Sequence, residues 1–327
     1  MNLDLIACSE CKGDLIKKED ALFCKKCSIR YSIKDGIIFQ DADFTDSKAD
    51  ITIDEFGKRW NKVYKDMGGL KSFLMPMIEP VKESFFMDKI IVDAGGGFGR
   101  LSKILLDYGA KEIVLIDGSS AVFAAREYLK DYSDKVTIVK GDLLNPPLKN
   151  EKYDLFFCHG VLHHTGDPEK GIMNMSKLLN AKNGSMILWV YAKEGNEFTN
   201  KIVNTVQKVS LNVPDKIRWF MASMVDSALF FLTFLIYKPV DLFFKNKNKL
   251  WYGEYLMDFL FDPNINNRTD RLQMYHDFLT TRIIEYYSKK DLEMWVEKAG
   301  FKKAEYFFYR KQSWSVSASY DPKETFT

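Results

Sequence analysis

The sequence has little net charge and few histidines. Lysine and arginine number 47 and aspartate and glutamate 45 among 327 residues, which leaves a net charge of +2. So small an excess does not by itself predict a nucleic-acid partner, because phosphate binding needs clustered positive charge. Only four histidines occur, and three of them, His159, His163 and His164, fall within six residues.

The sequence also lacks an export signal, internal repeats and low-complexity tracts. Its first ten residues, MNLDLIACSE, contain no basic start followed by an apolar core. Cysteine is scarce, with five residues, and four of these lie within the first 27 positions. Clustered thiols without an export signal favour a metal over disulfides and predict a cytoplasmic protein.

The four N-terminal cysteines form two C-x-x-C pairs separated by twelve residues: Cys8, Cys11, Cys24 and Cys27. Four thiolates carried on two short turns make a closed tetrahedral site, which is typical of structural zinc. Two redox pairs are the alternative, but the surrounding sequence has no βαβ pattern. We therefore predict a small β-rich zinc ribbon over residues 1–40.

The remainder of the chain is typical of an α/β domain. Residues 41–53 are polar and acidic like a linker, and residues 54–88 carry Phe56, Trp60 and Tyr64 at helical spacing. Strands and helices then alternate from residue 89 and imply a parallel sheet. We predict one domain over residues 54–327, interrupted by a helical insertion at 193–285.

Three acidic residues and a glycine-rich turn follow successive strands. The turn VDAGGGFG occupies residues 92–99, between a strand and a helix, and contains Asp93. Asp117 ends the second strand, and Asp142 follows the third. Glycines allow close approach of a ligand, and an acid at the second strand end suits ribose hydroxyls.

These segments resemble the motifs of class I S-adenosylmethionine-dependent methyltransferases. VDAGGGFG, IDGSS, KGDLL and YDLFFCHGVLHHTGDPEKG occur in the family's order, although residues 181–185 depart from its usual Lys-Pro-Gly-Gly. The resemblance covers residues 85–192 and 285–320 and implies a seven-stranded Rossmann-like sheet. It also implies these cofactor-binding residues: Asp93, Gly95, Gly97, Gly99, Asp117, Asp142, Leu143 and His159.

The resemblance gives each of these groups a role. The glycine turn would surround the methionine part of the cofactor, Asp117 would hold both ribose hydroxyls, and Asp142 would accept from the adenine amine. His159 would lie over the reactive end. If the acceptor is a hydroxyl, His163 or His164 is a candidate general base; the alternative is packing and cofactor contact.

Two segments leave the substrate open. The N-terminal ribbon resembles the zinc-ribbon activator of tRNA and translation-factor methyltransferases, in its C-x-x-C-x-G-x-L start and Asp35-Gly36-Ile37 ending. Residues 219–237 are strongly apolar and predict either a buried lid helix or a lid that touches a membrane or a lipid-linked substrate. The expected topology opposes a single membrane crossing, because the later strands must rejoin the sheet.

From these features we expect an S-adenosylmethionine-dependent methyltransferase with structural zinc. The leading interpretation is O-methylation of a small or glycan-type metabolite, free or lipid-linked, in the cytoplasm or at the membrane periphery, with nucleic acid not expected as a partner. One alternative is an RNA base methyltransferase that uses the ribbon for recognition. Another is a weakly catalytic cofactor-binding partner protein. The oligomeric state is not predicted.

Overall fold

A computed structural model of the chain describes residues 1–40, 48–63, 71–244, 260 and 268–327. The chain divides into two compact units. The first comprises Met1–Gly68, Leu74–Gly195 and Ile283–Thr327, and the second Gly69–Phe73 and Asn196–Arg282. The domain limits at 1–40, 54–327 and 193–285 stay predictions.

Four short antiparallel strands form the N-terminal ribbon: β1 (Leu15–Lys18), β2 (Ala21–Cys24), β3 (Arg30–Lys34) and β4 (Ile37–Gln40). Because side chains alternate along a strand, each strand has an inner and an outer face. Leu22, Tyr31 and Ile38 share the inner face, are fully buried and belong to the same core as Leu5 and Ile6. This packing fixes the register of the ribbon.

Seven further strands follow: β5 (Ile90–Ala94), β6 (Glu112–Asp117), β7 (Val136–Lys140), β8 (Leu155–His159), β9 (Ser185–Tyr191), β10 (Lys303–Tyr309) and β11 (Ser313–Ser319). Their order is β7-β6-β5-β8-β9-β11-β10. β5 to β9 are parallel, and β11 is antiparallel to both of its neighbours. This confirms the predicted seven-stranded class I methyltransferase sheet and its N-terminal ribbon.

The ribbon and these seven strands form a single eleven-stranded sheet. β4 pairs in parallel with β7, with Ile37 opposite Ile138 and Phe39 opposite Lys140. The Tyr153 hydroxyl also donates to the Leu5 carbonyl at 2.6 Å. The sequence did not predict this pairing. It satisfies the backbone groups of β7, which would otherwise be an open sheet edge.

The described residues contain ten α-helices: α1 (Lys48–Val63), α2 (Lys71–Met77), α3 (Arg100–Asp107), α4 (Ala121–Tyr128), α5 (Pro168–Ser176), α6 (Glu197–Ser210), α7 (Asp215–Leu232), α8 (Lys238–Phe244), α9 (Arg268–Thr280) and α10 (Lys289–Lys298). A π-helical turn, Thr233–Tyr237, joins α7 to α8. Ser288 and Asp291 cap α10 as the predicted capping box. Tyr64 of the predicted aromatic stripe lies outside the described residues.

The second unit contains α6 to α9 and has a small core of its own. Asp226 of α7 is buried there and pairs with Arg271 at 2.8 Å and Arg268 at 3.4 Å. The helical segment Asp215–Val240 is long and apolar enough to cross a membrane, with mean hydropathy 1.8, but only 17% of its apolar window is buried. This low burial does not fit the first of the two expectations, a buried lid helix.

Candidate active site

A cavity of about 400 Å³ opens at the carboxyl ends of β5 to β8. Six of the eight predicted cofactor residues line it: Gly95, Gly97, Asp117, Asp142, Leu143 and His159. Asp93 and Gly99 are not among the lining residues. The volume lies within the range of about 300–1,000 Å³ that is usual for small-molecule sites.

The glycine-rich turn connects β5 to α3 and forms one wall of the cavity. Gly95 has φ +75°, and a β-carbon there would lie 2.4 Å from the Val161 side chain. Gly99 has φ +85°, and a β-carbon there would lie 2.5 Å from Leu129. Any larger residue would strain the backbone and push these neighbours apart, so both glycines keep the turn close to the helix start.

Asp117, from the segment IDGSS, is hydrogen-bonded to the glycine-rich turn. One carboxylate oxygen accepts from the Gly97 backbone N–H at 2.9 Å. The other accepts from the backbone N–H and hydroxyl of Ser119, at 2.7 and 2.6 Å. A carboxylate has about four acceptor positions, so it can take one ribose hydroxyl directly. A second ribose bond requires the Ser119 hydroxyl to turn away.

Asp93 supports the cavity from behind. It is 2% exposed and accepts from the Ser102 hydroxyl at 2.5 Å, which ties β5 to α3. The pKa of Asp93 is raised to about 6, mainly by burial; the Ser102 hydrogen bond lowers it and the nearby charge of Asp117 raises it. The sequence assigned Asp93 to the cofactor; here its described contact is internal.

The loop after β7, where the sequence analysis expected the adenine, forms another part of the cavity wall. Asp142 is exposed, and its carboxylate accepts from the Leu144 N–H at 2.8 Å. Gln40, the last residue of β4, accepts from the Asp142 N–H at 3.1 Å and donates to the Asn145 carbonyl at 3.2 Å. The ribbon therefore holds both ends of this loop, a contact that no sequence motif indicated.

The histidines surround the other end of the cavity. His159 ends β8, lines the cavity and stacks on Trp189 with ring centroids 4.8 Å apart. Burial lowers the pKa of His159 to about 3 and that of His164 to about 4, and charge from Arg100 and Arg59 respectively contributes to the lowering. Both rings are therefore neutral at pH 7.

The two candidate bases have different surroundings. His164 lines the cavity, and its Nδ1 lies 2.6 Å from the Ile283 carbonyl. His163 is 1% exposed, is not a lining residue and packs on Tyr191 at 4.3 Å. Burial holds the pKa of His163 well below its usual range. A catalytic role for either histidine stays a prediction.

Helix α1 supplies cavity residues that the sequence analysis did not assign. Phe56 and Trp60 line the cavity, and their rings lie 5.1 Å from His164 and 5.4 Å from Phe98. The Arg59 guanidinium lies 4.8 Å over the Phe56 ring and is 5% exposed. The helical spacing of these aromatics was visible in the sequence, but it is equally typical of an ordinary core-facing helix.

The four N-terminal cysteines converge as the zinc prediction requires. Their sulfur atoms all lie within 4.8 Å of one another, and Cys11 and Cys24 are 3.5 Å apart. Tetrahedral Zn–S bonds of about 2.3 Å imply sulfur separations of about 3.8 Å. The Tyr31 hydroxyl lies 3.7 Å from the Cys8 sulfur and can support it from outside. The donor set fits structural zinc.

Comparison with known proteins finds family matches in both parts of the chain. Residues 92–186 match the methyltransferase domain family, and residues 2–36 match the Trm112p-like protein family. A tRNA U34 carboxymethyltransferase from Campylobacter fetus is 27% identical over 275 residues, which cover 76% of this chain and 89% of that protein. Protein arginine N-methyltransferase 1 of Saccharomyces cerevisiae is 37% identical over 75 residues, 22% of each protein.

Among solved structures, the chain is similar to a complex between the Haloferax volcanii Trm112 methyltransferase activator and a methyltransferase. The TM-score is 0.47 at 12% identity, over 85% of this chain and 99% of that one.

These relatives correct the expected partners. The expectation of a small-molecule or glycan-type substrate, with nucleic acid not expected, is wrong, because a relative that matches 76% of the chain is named for modification of tRNA. The net charge misled because it averages over the chain, whereas phosphate binding depends on local clustering. A location at the membrane periphery has no support beyond the apolar segment of α7.

Two family matches, a sheet of the expected order and a cavity lined by the expected motifs converge on one assignment. The chain is an S-adenosylmethionine-dependent methyltransferase that carries a Trm112p-like zinc ribbon ahead of its methyltransferase domain.

Proposed function

We propose that the chain methylates a base of RNA, with tRNA as the substrate class. The observation that carries this proposal is the similarity to the Campylobacter fetus tRNA U34 carboxymethyltransferase over 89% of that protein. The ribbon supports the proposal, because the pairing of β4 with β7 and the contact of Gln40 with Asp142 place the ribbon beside the cavity. An extended macromolecule can contact both.

The cavity suits a donor that carries a methyl group on positively charged sulfur, which is what S-adenosylmethionine supplies when bound. Asp117 and Asp142 would hold its adenosine part by charge-assisted hydrogen bonds. His159 lies further along the wall, and its low pKa keeps it neutral. A neutral ring beside a sulfonium avoids the repulsion that an imidazolium would cause.

The acceptor base would enter beside helix α1. Phe56 and His164 pack against each other at the cavity wall, with ring centroids 5.1 Å apart, and so form one aromatic surface on which a base can stack. Enzymes that act on a nucleobase commonly take it out of its stack and hold it against aromatic side chains. This arrangement favours a single-stranded acceptor, such as a loop base, over a base within a duplex.

His164 is the better placed of the two candidate bases. A carbonyl can only accept, so Nδ1–H donates to Ile283 and leaves Nε2 as an acceptor. Its pKa of about 4 makes it a weak base, so its contribution is to orient the acceptor and receive a proton late. We assign His163, which packs on Tyr191, a positioning role.

The test is transfer of labelled methyl groups from S-adenosylmethionine to purified RNA, lipid and soluble pools of a cell extract. We expect label in tRNA, lost after ribonuclease treatment. The mass of the modified nucleoside distinguishes a methyl group from the carboxymethyl group in the relative's name. Label that enters only lipid or soluble pools would contradict the proposal.

His164→Asn should lower turnover on the labelled RNA while S-adenosylmethionine affinity stays unchanged. The asparagine amide can still donate to Ile283 but offers no ring nitrogen to the acceptor. His163→Asn is the matched comparison, and its effect should appear in thermal stability. A His164→Asn variant with full turnover would remove this residue from the mechanism.

A further inference from the structure

We propose that the outer face of the ribbon sheet is a binding surface for single-stranded RNA. This ribbon face consists of Lys18, Phe23, Arg30, Lys34 and Phe39. The inference rests on the proposed function and adds where the RNA is held outside the cavity.

Strand registers put these five side chains on one face. Phe23 is opposite Arg30, and both alternate with the inner residues Leu22 and Tyr31, which are fully buried. Lys18 is opposite Ala21, and Ala21 is two residues before Phe23 in β2, so all three side chains lie on the same side.

The same reasoning extends the face across β3 and β4. Ser32 pairs with both Ala21 and Phe39, and Lys34 pairs with Ile37. Lys34 therefore shares the outer face with Phe39. The ribbon face thus spans all four short strands, and the buried residues Ala21, Ser32 and Ile37 lie between its members.

The fold separates charges that are balanced in the sequence. Residues 1–40 contain seven lysines and arginines and six acids. Two of the acids are engaged elsewhere, since Asp14 pairs with Lys149 at 2.8 Å and Glu10 accepts from Asn145 at 3.0 Å. Three more, Glu19, Asp20 and Asp35, lie in the turns at the strand ends away from the cavity.

The three cations of the ribbon face remain available. Lys18, Arg30 and Lys34 are all exposed. No carboxylate within the described ranges forms an ion pair with any of the three. Lys25 and Lys26 are also exposed and follow β2 at its cavity end. Lys18 and Lys34 adjoin the turns that carry Glu19, Asp20 and Asp35, whereas Arg30, Lys25 and Lys26 lie toward the cavity end of the strands.

Aromatic rings lie between these cations. The Lys18 ammonium is 5.9 Å from the centre of the Phe23 ring, and the Lys34 ammonium is 5.8 Å from that of Phe39. Phe39 contacts Phe123 of α4 at 5.9 Å, and Phe123 is 46% exposed. Alternating cations and ring faces on a sheet are the arrangement that binds single strands, by phosphate contact and base stacking.

The ribbon face also has the correct orientation relative to the cavity. β4 is parallel to β7, so Gln40 and the Arg30–Phe23 pair lie toward the edge that carries Asp142. Four strand spacings separate β2 from β6, which is about 19 Å at about 4.8 Å each. A few nucleotides flanking the acceptor base can span this distance. Together with the cations and aromatic rings of the ribbon face, this favours RNA over a protein partner.

The experiment measures binding of the full zinc-loaded chain to a fluorescent twelve-residue oligouridine and to an unmodified tRNA transcript, across a range of salt concentrations. The test variant is Lys18→Gln/Arg30→Gln/Lys34→Gln. Each lost phosphate contact lowers the slope of log affinity against log salt by about 0.7 on a single strand. We expect a slope lower by about 2 and binding at least about ten-fold weaker.

The matched control removes the same charge at the opposite sheet edge, where Lys111, Lys135 and Lys152 are exposed before β6, β7 and β8. Lys111→Gln/Lys135→Gln/Lys152→Gln should bind RNA like the wild type. Phe23→Leu should weaken oligouridine binding about five-fold or more by removing one stacking partner. Zinc content and S-adenosylmethionine affinity should stay unchanged in all variants.

The outcomes separate this inference from the proposed function. A wild-type chain that neither binds nor methylates RNA overturns both. If the wild-type chain binds and methylates RNA, the proposed function stands. The ribbon face alone is then overturned if the test variant keeps the wild-type salt slope, or if the control variant lowers that slope equally.

Discussion

Asp117→Asn is the sharpest test of the cofactor site, because one atom changes while the side chain keeps its shape. The wild-type carboxylate accepts from Gly97 and twice from Ser119, at 2.6–2.9 Å. An amide replaces one acceptor oxygen by a donor, which would then face a backbone N–H. The variant therefore loses both the charge and the acceptor left for the ribose.

The expected magnitude follows from these contacts. A hydrogen bond to a charged group contributes about 1.5–3 kcal/mol. Loss of one ribose bond should therefore raise the Kd for S-adenosylmethionine by about 10- to 150-fold. Isothermal titration calorimetry on the zinc-loaded chain measures this directly, and a thermal melt reports any change in folding.

Ser119→Ala is the matched control for this change. It removes one internal donor but keeps the carboxylate, so the Kd should change by less than about five-fold. The Ser119 hydroxyl also accepts from the Ala121 N–H at 3.1 Å, so its loss should appear as reduced stability, by about 1 kcal/mol. Asp117→Asn with wild-type affinity would refute the assignment of this carboxylate to the cofactor.

Three further changes test other contacts. Gln40→Ala should weaken S-adenosylmethionine binding several-fold with zinc retained, since it frees the loop at Asp142; calorimetry with metal analysis checks both. The folded pKa of Asp93 is raised to about 6, so its stabilising effect is present below about pH 4 and lost as pH rises through 6. Without cofactor, the stability of Asp93→Asn relative to the wild type should therefore rise by about 3 kcal/mol between those pH limits. Calorimetric melts of both proteins across this pH range measure the difference, and a difference that does not change with pH would contradict the prediction. Asp226→Ala leaves the Arg271 charge buried and should cost about 3–5 kcal/mol, whereas Asp226→Leu/Arg271→Met should recover most of it in chemical denaturation.

Much of the candidate site could be predicted from sequence because its parts are local. The glycine turn lies within residues 92–99, and Asp117 and Asp142 each follow their own strand, so motif order predicts that they meet at one sheet edge. Burial could not be predicted in the same way. Asp93 and His163 belong to recognisable motifs, yet the first is covered behind α3 and the second packs under Tyr191.

The sequence by itself determined the zinc ligands and the methyltransferase sheet. Two C-x-x-C turns present four thiolates at short range, and strand–helix alternation allows few sheet topologies. Only the tertiary structure decided features that depend on long-range pairing. β4 pairs with β7 across about a hundred residues, and Gln40 thereby connects the ribbon to the loop at Asp142. The registers among β1 to β4 likewise place Lys18, Arg30 and Lys34 on one face, because strand register, not composition, decides which side chains share a surface.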